Sequence, residues 1–108
     1  MAHLEAEYRD FRSSVRRFAR DEVAPRAAAL DREQRPPVES FAASLQLGLP
    51  GLPYPQHLGG GEGNIYAQCV AMEELARACA STALGIGSSW IMMAVVAYGT
   101  EAQQHEVV

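Results

Sequence analysis

A chain of 108 residues, 48% apolar and 20% charged, has room for one globular domain with a single modest core, which excludes both a disordered segment and two independent cores. Its net charge of −4 argues against nucleic acid as a main partner. The charge is uneven: residues 1–35 hold eight Arg and seven Asp or Glu, whereas residues 36–108 hold one Arg and six Glu.

In chain order, Leu4, Tyr8, Phe11, Val15 and Phe18 recur at steps of four and three, one apolar stripe on a helix. The spacing predicts a helix from about Leu4 to Val23. Arginines alternate with acids on its other side and read as a solvated face. Pro25 interrupts it, since proline lacks an N–H and crowds the preceding turn, with a bent continuation through Arg26–Leu30. After Arg35-Pro36-Pro37, the stripe Val38, Phe41, Ala42 and Leu45 marks a second, short helix that Gly48 ends with a left-handed cap.

The stretch LPGLPYPQHLGGGEG is an irregular connection, and long loops in compact domains are often functional. It is not a phosphate loop. A P-loop needs a lysine after its last glycine, the chain has no lysine, and the GxGxxG spacing is missing. Its glycines read instead as a turn that brings the next helix close to its neighbours, with 59–63 among the least ordered parts.

Asn64 suits the N-cap of a third helix, with Ile65, Cys69, Met72, Ala76 and Cys79 as its stripe and a Glu73–Arg77 pair on its surface. Glu73 and Glu74 diverge by about 100° around a helix, so they cannot share one proton or one metal. Ala78–Thr100 holds no charge, and Arg77 and Glu101 bracket it. It reads as a buried central helix, capped by Ser81 or Thr82, with the amphipathic helices wrapped outside. Its length would span a membrane, but Ser81, Thr82, Gly85, Gly87, Ser88 and Ser89 dilute its first half, so no membrane span is expected. Gly99 ends it, and Thr100-Glu101-Ala102-Gln103 is a capping box that opens a fifth helix with room for two turns.

Cys69 and Cys79 lie about 15 Å apart along one helix, too far for a disulfide. Two thiols and an acidic, polar start fit a cytoplasmic protein. His3, His57 and His105 are scattered, so no metal site is expected, and no GxSxG motif is present.

Several runs together resemble one family. Arg20-Asp21-Glu22-Val23-Ala24-Pro25-Arg26-Ala27-Ala28 is similar to the end of the first helix of acyl-CoA dehydrogenases. Leu47-Gly48-Leu49-Pro50-Gly51-Leu52 resembles their turn after the second helix, and Pro55-Gln56-His57-Leu58-Gly59-Gly60 their Pro–Gly–Gly loop. Glu73-Glu74-Leu75-Ala76-Arg77 resembles their EELAR helix, and Tyr98-Gly99-Thr100-Glu101-Ala102-Gln103 their YGTEEQ turn.

The resemblance implies a parent of three parts: an N-terminal helical domain, a central β domain and a C-terminal helical bundle. This chain would be the first, an all-α, antiparallel bundle of four to five helices over residues 1–108, cut off early in its fifth helix. Such a parent oxidises an acyl-CoA thioester to the trans-2-enoyl thioester, with a glutamate taking the α-proton and the flavin of FAD the β-hydride. The resemblance places the base and the flavin contacts elsewhere, so no catalytic or cofactor-binding residue is expected here, and the chain alone is expected to hold no FAD. It does imply one wall of the acyl pocket, at Ala83, Ile86, Gly87 and Trp90. Implied partners are acyl-CoA, the parent's own β and C-terminal parts or a partner subunit, and further copies in a homo-oligomer. Two other readings stay open: a same-fold acyl-CoA oxidase or flavin monooxygenase, and a non-enzymatic helical module that packs on a partner.

Overall fold

A computed structural model describes residues 2–107, with side chains from residue 5 onward. The described residues form helices and loops, with no strand among them. Eight α-helices lie on five runs of chain: α1 (Ala2–Glu7), α2 (Arg9–Phe18) and α3 (Ala24–Glu33) on the first; α4 (Val38–Leu47); α5 (Ile65–Ala78); α6 (Ala80–Gly87) and α7 (Met93–Tyr98); and α8 (Glu101–Val107). The count of runs matches the four to five helices expected.

The first run bends as its sequence dictates. Between α2 and α3, Ala19–Val23 winds as a π-helical turn, in which the Ala24 N–H reaches back to the Ala19 carbonyl. Pro25 then stands in the first turn of α3, where its missing N–H costs least. The Glu22 carbonyl beside this bend accepts from the Ser40 hydroxyl at 2.9 Å and from the Arg26 guanidinium. Tyr8, Phe11, Val15 and Phe18 face the core as their spacing predicts; the Leu4 side chain lies outside the described residues.

Three faces differ from expectation. On α4 the apolar stripe points outward: Val38, Ala42 and Leu45 are exposed, Phe41 is half-buried, and Ser40 and Ser44 face inward. Both serines bury at low cost because each hydroxyl donates to a backbone carbonyl, Ser44 to Phe41 at 2.6 Å. On α5 the inward set is Ala67, Val70, Ala71, Glu74 and Leu75, while Ile65 and Cys69 are exposed. This set has helical spacing as good as that of the predicted stripe, but a glutamate at its centre disguises it.

The third difference concerns the uncharged stretch. Ala80–Tyr98 runs as one helical rod, long and apolar enough by length and composition to cross a membrane, yet only 17% of that window is buried. Leu84, Ile91 and Tyr98 are 71%, 70% and 91% exposed. The molecule measures 41 × 36 × 19 Å, about two helix diameters thick, and so cannot surround a central helix. Its accessible area of 6753 Å² also exceeds the roughly 5,900 Å² that a compact monomer of this mass presents.

Three of the expected helix ends follow local chemistry. Asn64 accepts from the Ala67 N–H at 2.9 Å, Gly48 takes φ 79°, and Thr100 and Gln103 close a reciprocal box at 2.9 and 3.2 Å. Neither Ser81 nor Thr82 caps α6. Extended Cys79 precedes it, and the buried Thr82 hydroxyl has no partner among the described residues.

Candidate functional site

The α6–α7 rod and the loop before α5 meet at the predicted acyl-wall residues. Cys79 alone joins α5 to α6, so the two fold back on each other, and Gly87 comes against Met72; a Cβ at Gly87 would sit 2.5 Å from the Met72 methyl carbon. Ala83 and Ile86 are 1% and 0% exposed, inside a core that includes Val15, Leu49, Ala71 and Leu75. Trp90, half-buried, packs on that core, and its indole N–H donates to the Leu49 carbonyl at 2.9 Å. The fold thus gathers all four predicted residues at one place. Ala83 and Ile86 present almost no surface there; Gly87 and Trp90 keep some.

The winding changes at this place. Ser88–Met92 forms a 3-10 helix between α6 and α7. The Ser88 hydroxyl donates to the Gly85 carbonyl at 2.7 Å and the Ser89 hydroxyl to the Ile86 carbonyl, bonds that compete with the helix ladder and bend it. Buried Tyr54, from the loop, donates its hydroxyl to the Ser89 carbonyl. Burial pushes the Tyr54 hydroxyl pKa up, and the backbone amide of Met92 partly opposes that. Sequence reasoning missed Tyr54; its only signal was an aromatic residue between two prolines in the loop.

That loop is closed upon itself. The amides of Gly60, Gly61 and Gly63 donate to the carbonyls of Pro55, Gly51 and Leu52 at 3.0, 3.1 and 2.7 Å. A Cβ at Gly60 would lie 2.1 Å from the Tyr54 carbonyl oxygen, so only glycine fits. The expected close turn is present, and its crossed backbone bonds tie down residues read as poorly ordered. These amides are spent, so they offer a flavin pyrophosphate no cradle, and no chemical step runs through a flavin held by this loop.

An apolar groove of about 360 Å³ lies between the outward face of α4 and α6, lined by Pro36, Pro37, Val38, Phe41, Leu45 and Gly85. Gly85 leaves it open: the nearest atom to a Cβ there is the Pro37 ring at 3.6 Å.

Glu74 is the one deeply buried carboxylate among the described residues. Arg12 binds it at 2.7 Å, and Arg16 grips it with two donors at 2.9 and 3.1 Å. The Arg16 bonds, then those of Arg12, overcome burial and hold its pKa near 2. A carboxylate held there is a weak base at neutral pH, which makes Glu74 a fastening rather than an acid–base group. Arg12 is accordingly only 18% exposed, not a solvated surface residue. Glu73 sits outside, near Arg12 and Arg77. No group of three His, Cys, Asp or Glu among the described residues could hold a metal ion.

Residues 5–108 match the family model described as "Acyl-CoA dehydrogenase, N-terminal domain". The chain is 35% identical to a probable acyl-CoA dehydrogenase, YngJ, of Bacillus subtilis, across 94% of its own length and 27% of that protein's. It is 33% identical to the short-chain specific acyl-CoA dehydrogenase of Clostridium acetobutylicum, across 88% of the chain and 26% of the relative. Against the mitochondrial isovaleryl-CoA dehydrogenase of Arabidopsis thaliana the identity is 37%, across 89% and 24%. The chain therefore spans about a quarter of the length of these curated relatives.

Proposed function

The chain belongs to the acyl-CoA dehydrogenase family, as an example of its N-terminal domain, and from that premise we propose that it lines the acyl pocket of a flavin-dependent enzyme that oxidises an acyl-CoA thioester to its trans-2-enoyl thioester. The observation that carries this reading is the family match over residues 5–108. Bound in the complete enzyme, FAD would supply the hydride acceptor. This chain's share is to pack, to shape the pocket and to exclude water.

Within the wall, Gly87 and Trp90 are the members that touch the acyl chain, and Ala83 and Ile86 back them from the core. Half-burial of Trp90 beside a rod with an exposed outer face supports this division. An indole at that position fills space a long tail would need, so short or branched acyl groups are the substrate class. The names of relatives specific for short chains and for isovaleryl-CoA support that choice.

The domain extends over residues 1–108 and is completed by further polypeptide, either the parent's own central and C-terminal parts or a partner subunit, in a homo-oligomeric enzyme. Exposed Leu84, Ile91 and Tyr98, with Val38 and Leu45, support this, because apolar faces of such extent are normally covered. Protein, rather than lipid, is the cover proposed for Ala80–Tyr98, since Thr82, Ala83 and Ile86 already pack in a protein core. Free Cys69 and Cys79 fit a reducing compartment and a cytoplasmic setting.

Trp90→Ala in a complete enzyme carrying this domain tests the wall. The ratio of kcat/KM for long to short acyl-CoA thioesters should rise. An unchanged chain-length profile refutes the role of Trp90. The 108-residue chain by itself should purify colourless, and a yellow, FAD-saturated preparation would contradict its assigned share.

A further inference from the structure

The 3-10 segment Ser88–Met92 has a specific cause in the hydrogen bonds around it. In an α-helix the Ser89 carbonyl would accept from the Met93 N–H, four residues on. Here the Met93 N–H turns to the carbonyls of Ile91 and Trp90, two and three residues back, and the Ser89 carbonyl accepts from the Tyr54 hydroxyl. The two serine hydroxyls tighten the turns just before. Five residues of 3-10 winding is long for that geometry, so something outside the segment must favour it. Tyr54 is 35 residues away in sequence and is itself fixed by burial and by Gly60 packed on its backbone.

We propose that Tyr54 is a positioning residue: its hydroxyl keeps Ser88–Met92 in 3-10 winding and thereby sets the direction of the Trp90 indole and of α7. The geometry makes the consequence large. Winding advances 120° and 2.0 Å per residue in a 3-10 helix, against 100° and 1.5 Å in an α-helix. Rewinding five residues as α would turn α7 by roughly 100° relative to α6 and shorten the rod by roughly 2.5 Å. Trp90 sits in the middle of the segment, and rotation would pull its N–H from the Leu49 carbonyl. The bond from Trp90 to Leu49 and the bond from Tyr54 to Ser89 run in opposite directions between the same two elements, so the loop and the rod hold each other in register. Any effect on acyl length rests on the pocket wall proposed above; the winding itself does not.

Trp90 is the chain's single tryptophan, so its indole N–H gives one unambiguous NMR signal. In Tyr54→Phe the whole 108-residue chain should show Cα and carbonyl shifts of Ser88–Met92 moving to α-helical values. Exchange of the Trp90 indole N–H should speed by about tenfold, the effect of losing one hydrogen bond. Amides of Ala71 and Leu75 should keep their protection. Unchanged shifts and unchanged indole exchange overturn the proposal. Should that variant fail to fold, the unaltered chain decides: the proposal requires contacts of the 3-10 type, Hα to the amide two residues on, through Ser88–Met92, together with Tyr54 ring protons close to the Met92 amide. An unbroken series of Hα contacts to the amide four residues on overturns it. In a complete enzyme, Tyr54→Phe that rewinds the segment yet leaves the acyl-length profile unchanged removes Trp90 from the pocket wall while the winding role stands.

Discussion

Where α2 meets α5, a buried ion-pair cluster joins the apolar contacts; along α4 and the α6–α7 rod, hydrocarbon faces solvent. The first region buries a carboxylate, the costliest kind of group to bury, and finishes the job inside the chain: Glu74 receives three short bonds from Arg12 and Arg16. The second leaves Leu84, Ile91 and Tyr98 uncovered, although these are the residues most favoured by burial. Composition therefore misleads in both regions. Charge became core where partners stood on a neighbouring helix, and apolar sequence became surface where the slab had no third layer. A polar interface can close upon itself, whereas an apolar face waits for a cover.

Removing the fastening should have the largest effect. Glu74→Ala takes away the closest and most buried of the three carboxylates around Arg12, leaving it only the more exposed Glu5 and Glu73, and should cost about 3 kcal/mol, the lower end for breaking a buried ion pair. That is a large share of the roughly 5–15 kcal/mol available to a domain of this kind. Urea unfolding monitored by circular dichroism measures it, and a loss below about 1 kcal/mol would show that the closed side does not depend on its charges.

A leucine pair sharpens the contrast. Leu75 is fully buried on α5 and Leu84 is exposed on α6. Leu75→Ala should cost about 2–5 kcal/mol through lost burial and a cavity. Leu84→Ala should stay within about 0.5 kcal/mol. Leu84→Glu should instead lower self-association in sedimentation velocity, since it charges the uncovered face. Equal losses of stability from the two alanine variants would mean that the rod is covered within the chain after all.

Acid separates the regions next. The Glu74 pKa falls from 4.5 to about 2 on folding, chiefly through Arg16 and Arg12. A depressed pKa contributes stability that is fully present above the unfolded value of 4.5 and lost as pH falls through 2. After allowance for solvent around the Arg16 head, the loss is about 2 kcal/mol. Titrated between pH 5 and 2, the wild-type chain should lose stability that Glu74→Gln does not; parallel curves would sink the assignment.

Legibility in the sequence followed distance along the chain. Caps at Asn64, Gly48 and Thr100–Gln103 were readable because donor and acceptor lie within three residues. The α2 face was readable because Val15 and its neighbours form an unbroken apolar period. The α5 face was not, because Glu74 occupies its centre and the arginines that make its burial tolerable lie about 60 residues earlier. The α4 face was hidden by serines whose partners are backbone carbonyls, which no side-chain pattern records. At the candidate site, Ala83, Ile86, Gly87 and Trp90 were reached through the family resemblance. The change of winding through Ser88–Met92 was not foreseeable, since it depends on Tyr54 arriving from a loop.

The smallest effect tests where the open side ends. Thr100 and Gln103 exchange side-chain bonds with each other's amides at the start of α8, and Gln104 donates to the carbonyls of Val96 and Gly99 at the end of α7. These contacts join α8 to α7 through polar bonds, in the region where apolar side chains stay exposed. Thr100→Ala removes one cap acceptor and should cost about 1 kcal/mol. The loss should be local, because α8 has no buried residue to transmit it. Hydrogen exchange should therefore quicken at Ala102 and Gln103 by about fivefold while Val70 and Leu75 in α5 remain as protected as before. Faster exchange in α5 as well would show that α8 is coupled to the core, and that the uncovered region and the self-finished one unfold together.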